Sequence, residues 1–163
     1  MATTEKNLQD AFAGESQANR KYLAFAKKAE AEGFKQAAKL FRAAAAAETI
    51  HAHNHLRELG VVKSTRENLL EAINGESYEF QKMYPGMIVD ARAEGNAGAL
   101  RSFTYANDVE KIHAALYQKA LDSLGRNAET DYYVCQVCGY TAEGELDECP
   151  VCKAKKQAFK KAE

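Results

Sequence analysis

Glu48-Thr49-Ile50-His51 returns 62 residues later as Glu110-Lys111-Ile112-His113. On a helix the glutamate and histidine of each copy share one face, one turn apart. The surroundings repeat as well. Gly14-Glu15-Ser16 returns as Gly75-Glu76-Ser77, Tyr22 as Tyr84, and Ala29-Glu30-Ala31-Glu32-Gly33 as Ala91-Arg92-Ala93-Glu94-Gly95, at offsets of 61 or 62 residues. A helical hairpin is therefore written twice. A bundle built from it has a pseudo-two-fold axis, with the repeated polar residues facing each other across it.

Apolar periodicity sets the helices. Residues 3–33 carry Leu8, Phe12, Ala18, Tyr22, Phe25 and Ala29 at helical spacing, and residues 35–59 carry Phe41 and Ala44. Residues 66–94 carry Leu69, Ile73, Phe80, Met83 and Met87, and residues 96–124 carry Phe103, Ala106, Tyr117, Ala120 and Leu124. Gly33, Gly60, Gly95 and Gly125 follow the four stretches, where a residue without Cβ accepts a left-handed cap. Ser64-x-x-Glu67 predicts a capping box opening the third helix, and Pro85 predicts a kink inside it. The fold expected is mainly α, a four-helix bundle over residues 1–125. Residues 126–131 read as a polar linker. Residues 132–163 form a small domain that needs a staple, because it is too short for a core of its own.

Composition removes several function classes. The 163 residues carry 22 Lys+Arg against 23 Asp+Glu, a net charge of −1, which argues against nucleic-acid or polybasic membrane binding. No apolar run approaches the ~20 residues of a membrane span. Charged residues begin at Glu5 and Lys6, unlike a secretory signal, so a cytoplasmic location is expected.

Glu15, Glu48, Glu76 and Glu110 lie on apolar faces, and no Lys or Arg shares those stripes. One such glutamate is ordinary. Four at matched places in a duplicated hairpin are not, because clustered buried carboxylates cost several kcal/mol per ion unless a cation compensates. Two Glu-x-x-His motifs plus a Glu from each of the other two helices make the donor set of a di-iron or di-manganese carboxylate site, with His51 and His113 as the imidazoles. Carboxylate-rich sites of this kind suit iron or manganese. Glu79 breaks the symmetry: it lies one turn after Glu76, and its counterpart in the first copy is Ala18. It reads as a fifth carboxylate that makes the two metals inequivalent. Tyr22 and Tyr84 sit near ligands on the same faces, as core aromatics or as phenols hydrogen-bonded to ligating carboxylates.

All four cysteines fall late. Cys135-x-x-Cys138 and Cys149-x-x-Cys152 are two knuckles separated by ten residues. Four thiolates in this arrangement hold one tetrahedral metal, zinc or iron. Zinc would only fold the tail; iron would make it a one-electron carrier. The upstream site favours iron, since a redox centre needs an electron supply.

Together these residues resemble the rubrerythrin family, which joins a ferritin-like di-iron bundle to a C-terminal rubredoxin-like iron–tetracysteine domain. Glu15, Glu48 to His51, Glu76-Ser77-Tyr78-Glu79 and Glu110 to His113 match its ligand motifs in order, with Met83-Tyr84-Pro85 and Cys138-Gly139-Tyr140 as flanking signatures. The resemblance implies two iron ions in the bundle and one in the tetracysteine site. It implies a peroxidase: reduced iron gives two electrons to hydrogen peroxide, and the tail iron restores them one at a time. The ultimate donor is an external NAD(P)H-linked protein such as a rubredoxin or a flavoprotein reductase. It further implies that one iron exchanges His51 for Glu79 on oxidation, so the residues bearing on catalysis are Glu79, His51, Tyr22 and Tyr84.

A homodimer is expected, for two reasons. A head-to-tail pair places one subunit's tail beside the other's site. Moreover, in a ferritin-like topology the connection at residues 60–65 must return ~35 Å, and six residues reach only ~20 Å. Either residues 66–75 unwind, or helices are exchanged between subunits; the unbroken Leu69–Ile73–Glu76–Phe80 stripe favours exchange. The competing functions are iron oxidation and storage, a dimanganese catalase-like or oxygen-reducing oxidase, and a zinc-ribbon adaptor. The last leaves the apolar-face carboxylates without a purpose.

Overall fold

The computed structural model describes residues 3–162. Its order is α1 (Thr4–Ala31), α2 (Lys35–Leu59), α3 (Thr65–Tyr78), a π-helical segment (Glu79–Met83), α4 (Tyr84–Ala93), α5 (Ala97–Asp122), β1 (Tyr132–Cys135), β2 (Thr141–Glu143), a 3₁₀ turn (Lys156–Ala158) and β3 (Phe159–Lys161). The chain divides into two compact units, Met1–Lys63 and Ser64–Glu163. Each contains one copy of the repeated hairpin.

In the first unit α1 packs along α2 through small residues. Ala26 and Ala29 are buried on one helix and Ala38, Ala45 and Ala52 on the other. Alanine lets the backbones approach closely, and buried Asn19 uses that closeness: its Nδ2 donates to Ala45 O at 2.7 Å and to Thr49 Oγ1 at 2.9 Å. The Thr49 bond is the longer of the two. Thr3 caps α1 by accepting from Lys6 N–H at 3.1 Å. At the other end Gly33 takes φ +84°, Gly33 N–H donates to Glu30 O, and Phe34 N–H donates to Ala29 O. That paired reversal is the Schellman motif.

The second unit repeats it. Gly95 takes φ +67°, Gly95 N–H donates to Arg92 O, and Asn96 N–H donates to Ala91 O. Asn96 then caps α5 through Ala99 N–H. The capping box is present at Ser64 and Glu67, so α3 starts at Thr65 and runs without unwinding to Tyr78. This leaves only residues 60–64 between α2 and α3.

The expected kink at Pro85 takes a different form. The third helix is interrupted upstream by one π turn, in which Tyr84 N–H bonds to Glu79 O, and Pro85 falls at the first turn of α4. There the wider turn immediately before it lies where proline's N–H is missing from the helical ladder. A signal for this was present in the repeat. The offset is 61 at Glu76 and 62 at Tyr84, so the second copy has one extra residue between them. A single extra residue in a helix is accommodated as a π turn.

The tail is a three-stranded antiparallel sheet in the order β2-β1-β3. Gly139 of its first knuckle lies against Val109 of α5, which is buried, and Lys119 of α5 pairs with Glu143 of β2 at 2.5 Å.

Candidate metal centres

The structure brings the four thiols together. Cys135 Sγ lies 3.6 Å from Cys152 Sγ, and Cys138 Sγ lies 3.5 Å from Cys149 Sγ. A disulfide needs about 2.05 Å. A tetrahedron with metal–sulfur bonds of about 2.3 Å has edges of about 3.8 Å, so the spacing fits one metal ion. Cys135 and Cys149 are fully buried. The two knuckles are built alike: Gly139 N–H donates to Cys135 O, and Lys153 N–H to Cys149 O. Lys153 holds φ +63°, the left-handed conformation that Gly139 supplies in the first knuckle. Burial pushes the Cys135 thiol up, but bonds from the Val137 and Cys138 peptides more than offset it and the net direction is down. Burial raises Cys138 and Cys152. A metal that draws out the protons removes that penalty.

Two further donor clusters follow the repeat. Glu15, Glu48 and His51 form one; Glu76, Glu110 and His113 form the other; in each, the donor atoms lie within 4.8 Å of one another. His51 Nδ1 is 2.9 Å from Glu48 Oε2 and 3.7 Å from Glu15 Oε1. His113 Nδ1 is 2.7 Å from Glu110 Oε2 and 3.8 Å from Glu76 Oε1. The equivalent atoms meet at nearly equal distances, so the duplication extends to the donors themselves. Each cluster is a half-site of two carboxylates and one imidazole, which suits iron or manganese.

The second half-site is the more crowded electrostatically. Burial first, then the Glu110 carboxylate, pushes Glu76 up to about 7. Glu79 is raised for the same two reasons, which places its charge within reach of Glu110. Burial and the carboxylates of Glu79, Glu110 and Glu76 raise the Tyr84 phenol, so Tyr84 faces the cluster as its sequence position predicted. The π turn makes this possible. Glu15 and Tyr22 are seven residues apart, two helical turns, whereas Glu76 and Tyr84 are eight apart. The wider turn absorbs the extra residue. Tyr22 instead joins an aromatic group with Phe25 and Phe41 at centroid distances of 6.3 Å.

Two residues were missed by sequence reasoning. Tyr117 is raised by burial and by Glu76 and Glu110; its place one turn after His113 was the available signal. Thr141 of β2 bonds to His113 Nε2 at 2.9 Å, and nothing in the sequence links positions 28 apart in separate elements.

A family model described as rubrerythrin matches residues 6–121. The chain belongs to the rubrerythrin family. A second model, the rubredoxin-like domain of rubrerythrin, matches residues 133–160. Rubrerythrin-2 of Clostridium acetobutylicum is 39% identical, over 97% of this chain and 96% of that protein. Nigerythrin of Nitratidesulfovibrio vulgaris is 38% identical, over 98% of this chain and 86% of its own. The solved structure of fully reduced, all-ferrous nigerythrin superposes with a TM-score of 0.61 at 36% identity, covering 99% of this chain and 88% of that one. The rubrerythrin fold class, a ferritin-like helical domain followed by a rubredoxin-like knuckle, is thus the one the repeat and the cysteines predicted. The chain carries the Glu/His residues of a di-iron carboxylate site and a tetracysteine knuckle, matching the iron centres of nigerythrin. Among the described residues, no helix is long and apolar enough to cross a membrane.

Proposed function

We propose that the protein is a cytoplasmic non-haem di-iron peroxidase that reduces hydrogen peroxide to water in oxidative-stress defence. The observation that carries this reading is the tie between the two kinds of centre: the domain holding four thiols is hydrogen-bonded to a histidine of the carboxylate cluster. The working division is a bundle at residues 1–125, a linker at 126–131 and an iron–tetracysteine domain at 132–163. Glu15, Glu48, His51, Glu76, Glu79, Glu110 and His113 hold two irons, and Cys135, Cys138, Cys149 and Cys152 hold one. When bound, the iron pair supplies the two electrons that, with two protons, convert hydrogen peroxide to two waters.

The side chains do the rest. Beside the second half-site Glu79 adds a third carboxylate, close enough for the Glu110 charge to act on it, and the first copy has Ala18 in its place. With iron bound, a more highly charged ion would favour a carboxylate over an imidazole, and Glu79 would be the carboxylate to take the place of His51. Tyr84 keeps its proton on the phenol oxygen, because burial and neighbouring carboxylates oppose ionisation. It is thereby able to donate a hydrogen bond toward the cluster, and we assign Tyr22 the same part in the first copy. The tetracysteine domain accepts electrons from an external NAD(P)H-linked donor, a rubredoxin or a flavoprotein reductase.

The assembly is a homodimer with exchanged hairpins. The connection of residues 60–64 spans at most ~18 Å, while α2 is ~38 Å long. Phe25, Leu40 and Ile50 of the first unit are exposed, which gives that hairpin apolar surface for a partner.

The test is stopped-flow mixing of anaerobically reduced, iron-loaded protein with hydrogen peroxide and, separately, with air-saturated buffer. Much faster oxidation by peroxide supports the peroxidase; preference for oxygen turns the reading to an oxidase or to iron storage. In the same assay Glu79→Ala keeps its two irons and slows peroxide oxidation about tenfold or more.

A further inference from the structure

The two histidines of the repeat are held differently. Each turns Nδ1 to its own Glu-x-x-His carboxylate, at 2.9 Å for His51 and 2.7 Å for His113. Among the described residues only His113 has a hydrogen-bond partner for its other nitrogen, Thr141 Oγ1 at 2.9 Å. The Thr141 hydroxyl donates in turn to Gly139 O at 3.3 Å. With a metal on Nδ1 the ring proton sits on Nε2, so His113 Nε2–H donates to Thr141 and Thr141 O–H donates to Gly139. A neutral imidazole with its proton on Nε2 has a free lone pair on Nδ1, the atom that faces Glu110 and Glu76. The ring is also the less exposed of the two, 25% against 53% for His51. A cavity of about 310 Å3 lies beside it, lined by Leu69, Leu116, Tyr117, Ala120 and Tyr132. Without a tether the imidazole has room to turn.

We propose that Thr141 is the positioning residue that makes His113 the fixed histidine of the pair, by holding its Nε2–H and presenting Nδ1 to the metal, while His51 has no such tether and is free to leave. This rests on the metal-centre reading above. Within the duplicated hairpin the two histidines are held alike, each by its own Glu-x-x-His carboxylate. The C-terminal domain occurs once per chain, and its β2 strand supplies the distinction. Nine residues, 123–131, separate α5 from β1 and reach ~30 Å if extended. That is enough to bring the sheet back along α5 to His113, which lies nine residues before the helix end, ~14 Å.

The test uses the full-length chain with its tetracysteine site filled with Zn(II), titrated with Co(II) as the probe of the bundle. Wild type takes up two equivalents. In Thr141→Val one equivalent weakens about tenfold or more and the other does not change; Thr141→Ser restores it. Two unchanged equivalents in Thr141→Val overturn the proposal. So does a Thr141→Ser variant as weak as Thr141→Val, since methyl packing rather than the hydroxyl would then matter. A wild-type bundle that takes up no cobalt removes the metal-centre reading itself, and the proposal with it. Long-range 1H–15N spectra of the zinc-filled wild type read the bond without any variant. His113 Nε2–H is expected to exchange slowly with solvent and His51 quickly; equal exchange overturns the tether.

Discussion

Glu76 is the carboxylate of the two half-sites that is displaced far from its ordinary range. Its pKa rises from 4.5 to about 7, from burial first and then from Glu110. The folded metal-free protein therefore binds a proton that the unfolded chain has released in the window between those values. Its stabilising effect is fully present below 4.5 and is lost as pH rises through about 7. The melting temperature of the metal-free protein is expected to fall across this window, and Glu76→Gln is expected to flatten the fall. A melting curve that steepens in Glu76→Gln would place the responsible group elsewhere. Metal binding runs in the opposite sense: the cation needs the ionised carboxylate, so affinity weakens as pH drops below about 7. At this scale the sequence was readable wherever residues repeat. Glu15, Glu48, His51 and their counterparts are found as clusters because identical local helices place identical side chains alike. Thr141 was not readable, because its partner is decided by how a sheet folds back on a helix.

Among the elements, the π segment has the clearest consequence. It holds Tyr84 on the side of the carboxylates despite the extra residue in the second copy. Deleting Gln81 restores the length of the first copy and is expected to produce a continuous α-helix. The Tyr84 phenol ionisation, followed by its ultraviolet difference spectrum, then tells whether the faces are kept. A Tyr84 phenol still raised is the expected outcome, because seven residues of α-helix keep the face that eight keep with a π turn; a phenol that titrates as an ordinary one would overturn this account of the π segment. The helix limits were legible because caps are local: Ser64 with Glu67, Gly33 and Gly95 each decide a chain reversal within a few residues. The interruption was less so, since Ile73, Phe80, Met83 and Met87 keep a helical rhythm across it. The tetracysteine element carries its own expectation. Cys135→Ser should abolish reduction by an external donor yet leave peroxide oxidation of chemically reduced protein intact. Loss of both would make the tail structural.

For the whole molecule the decisive feature is the shortness of residues 60–64. Two half-sites occur in one chain, each complete within its own unit. If hairpins are exchanged because the connection is short, length controls assembly. Inserting about twenty Gly/Ser residues after Val62 gives a flexible link whose extended reach exceeds the helix length. The lengthened protein is expected to shift toward monomer in sedimentation, with its cobalt stoichiometry unchanged. A dimer that persists would assign dimerisation to surfaces other than the exchanged hairpin. The expectation of a partner came from arithmetic on helix and linker lengths, both fixed by backbone geometry, and the sedimentation of the lengthened protein decides it.

The matched half-sites also carry a history. A single hairpin with one Glu and one Glu-x-x-His, paired with its own copy, already supplies four carboxylates and two imidazoles in symmetric array. Fusion of two such genes would preserve that array. Such an array would lack what differs between the present copies, Glu79 and the inserted residue, and so would have no direction of its own.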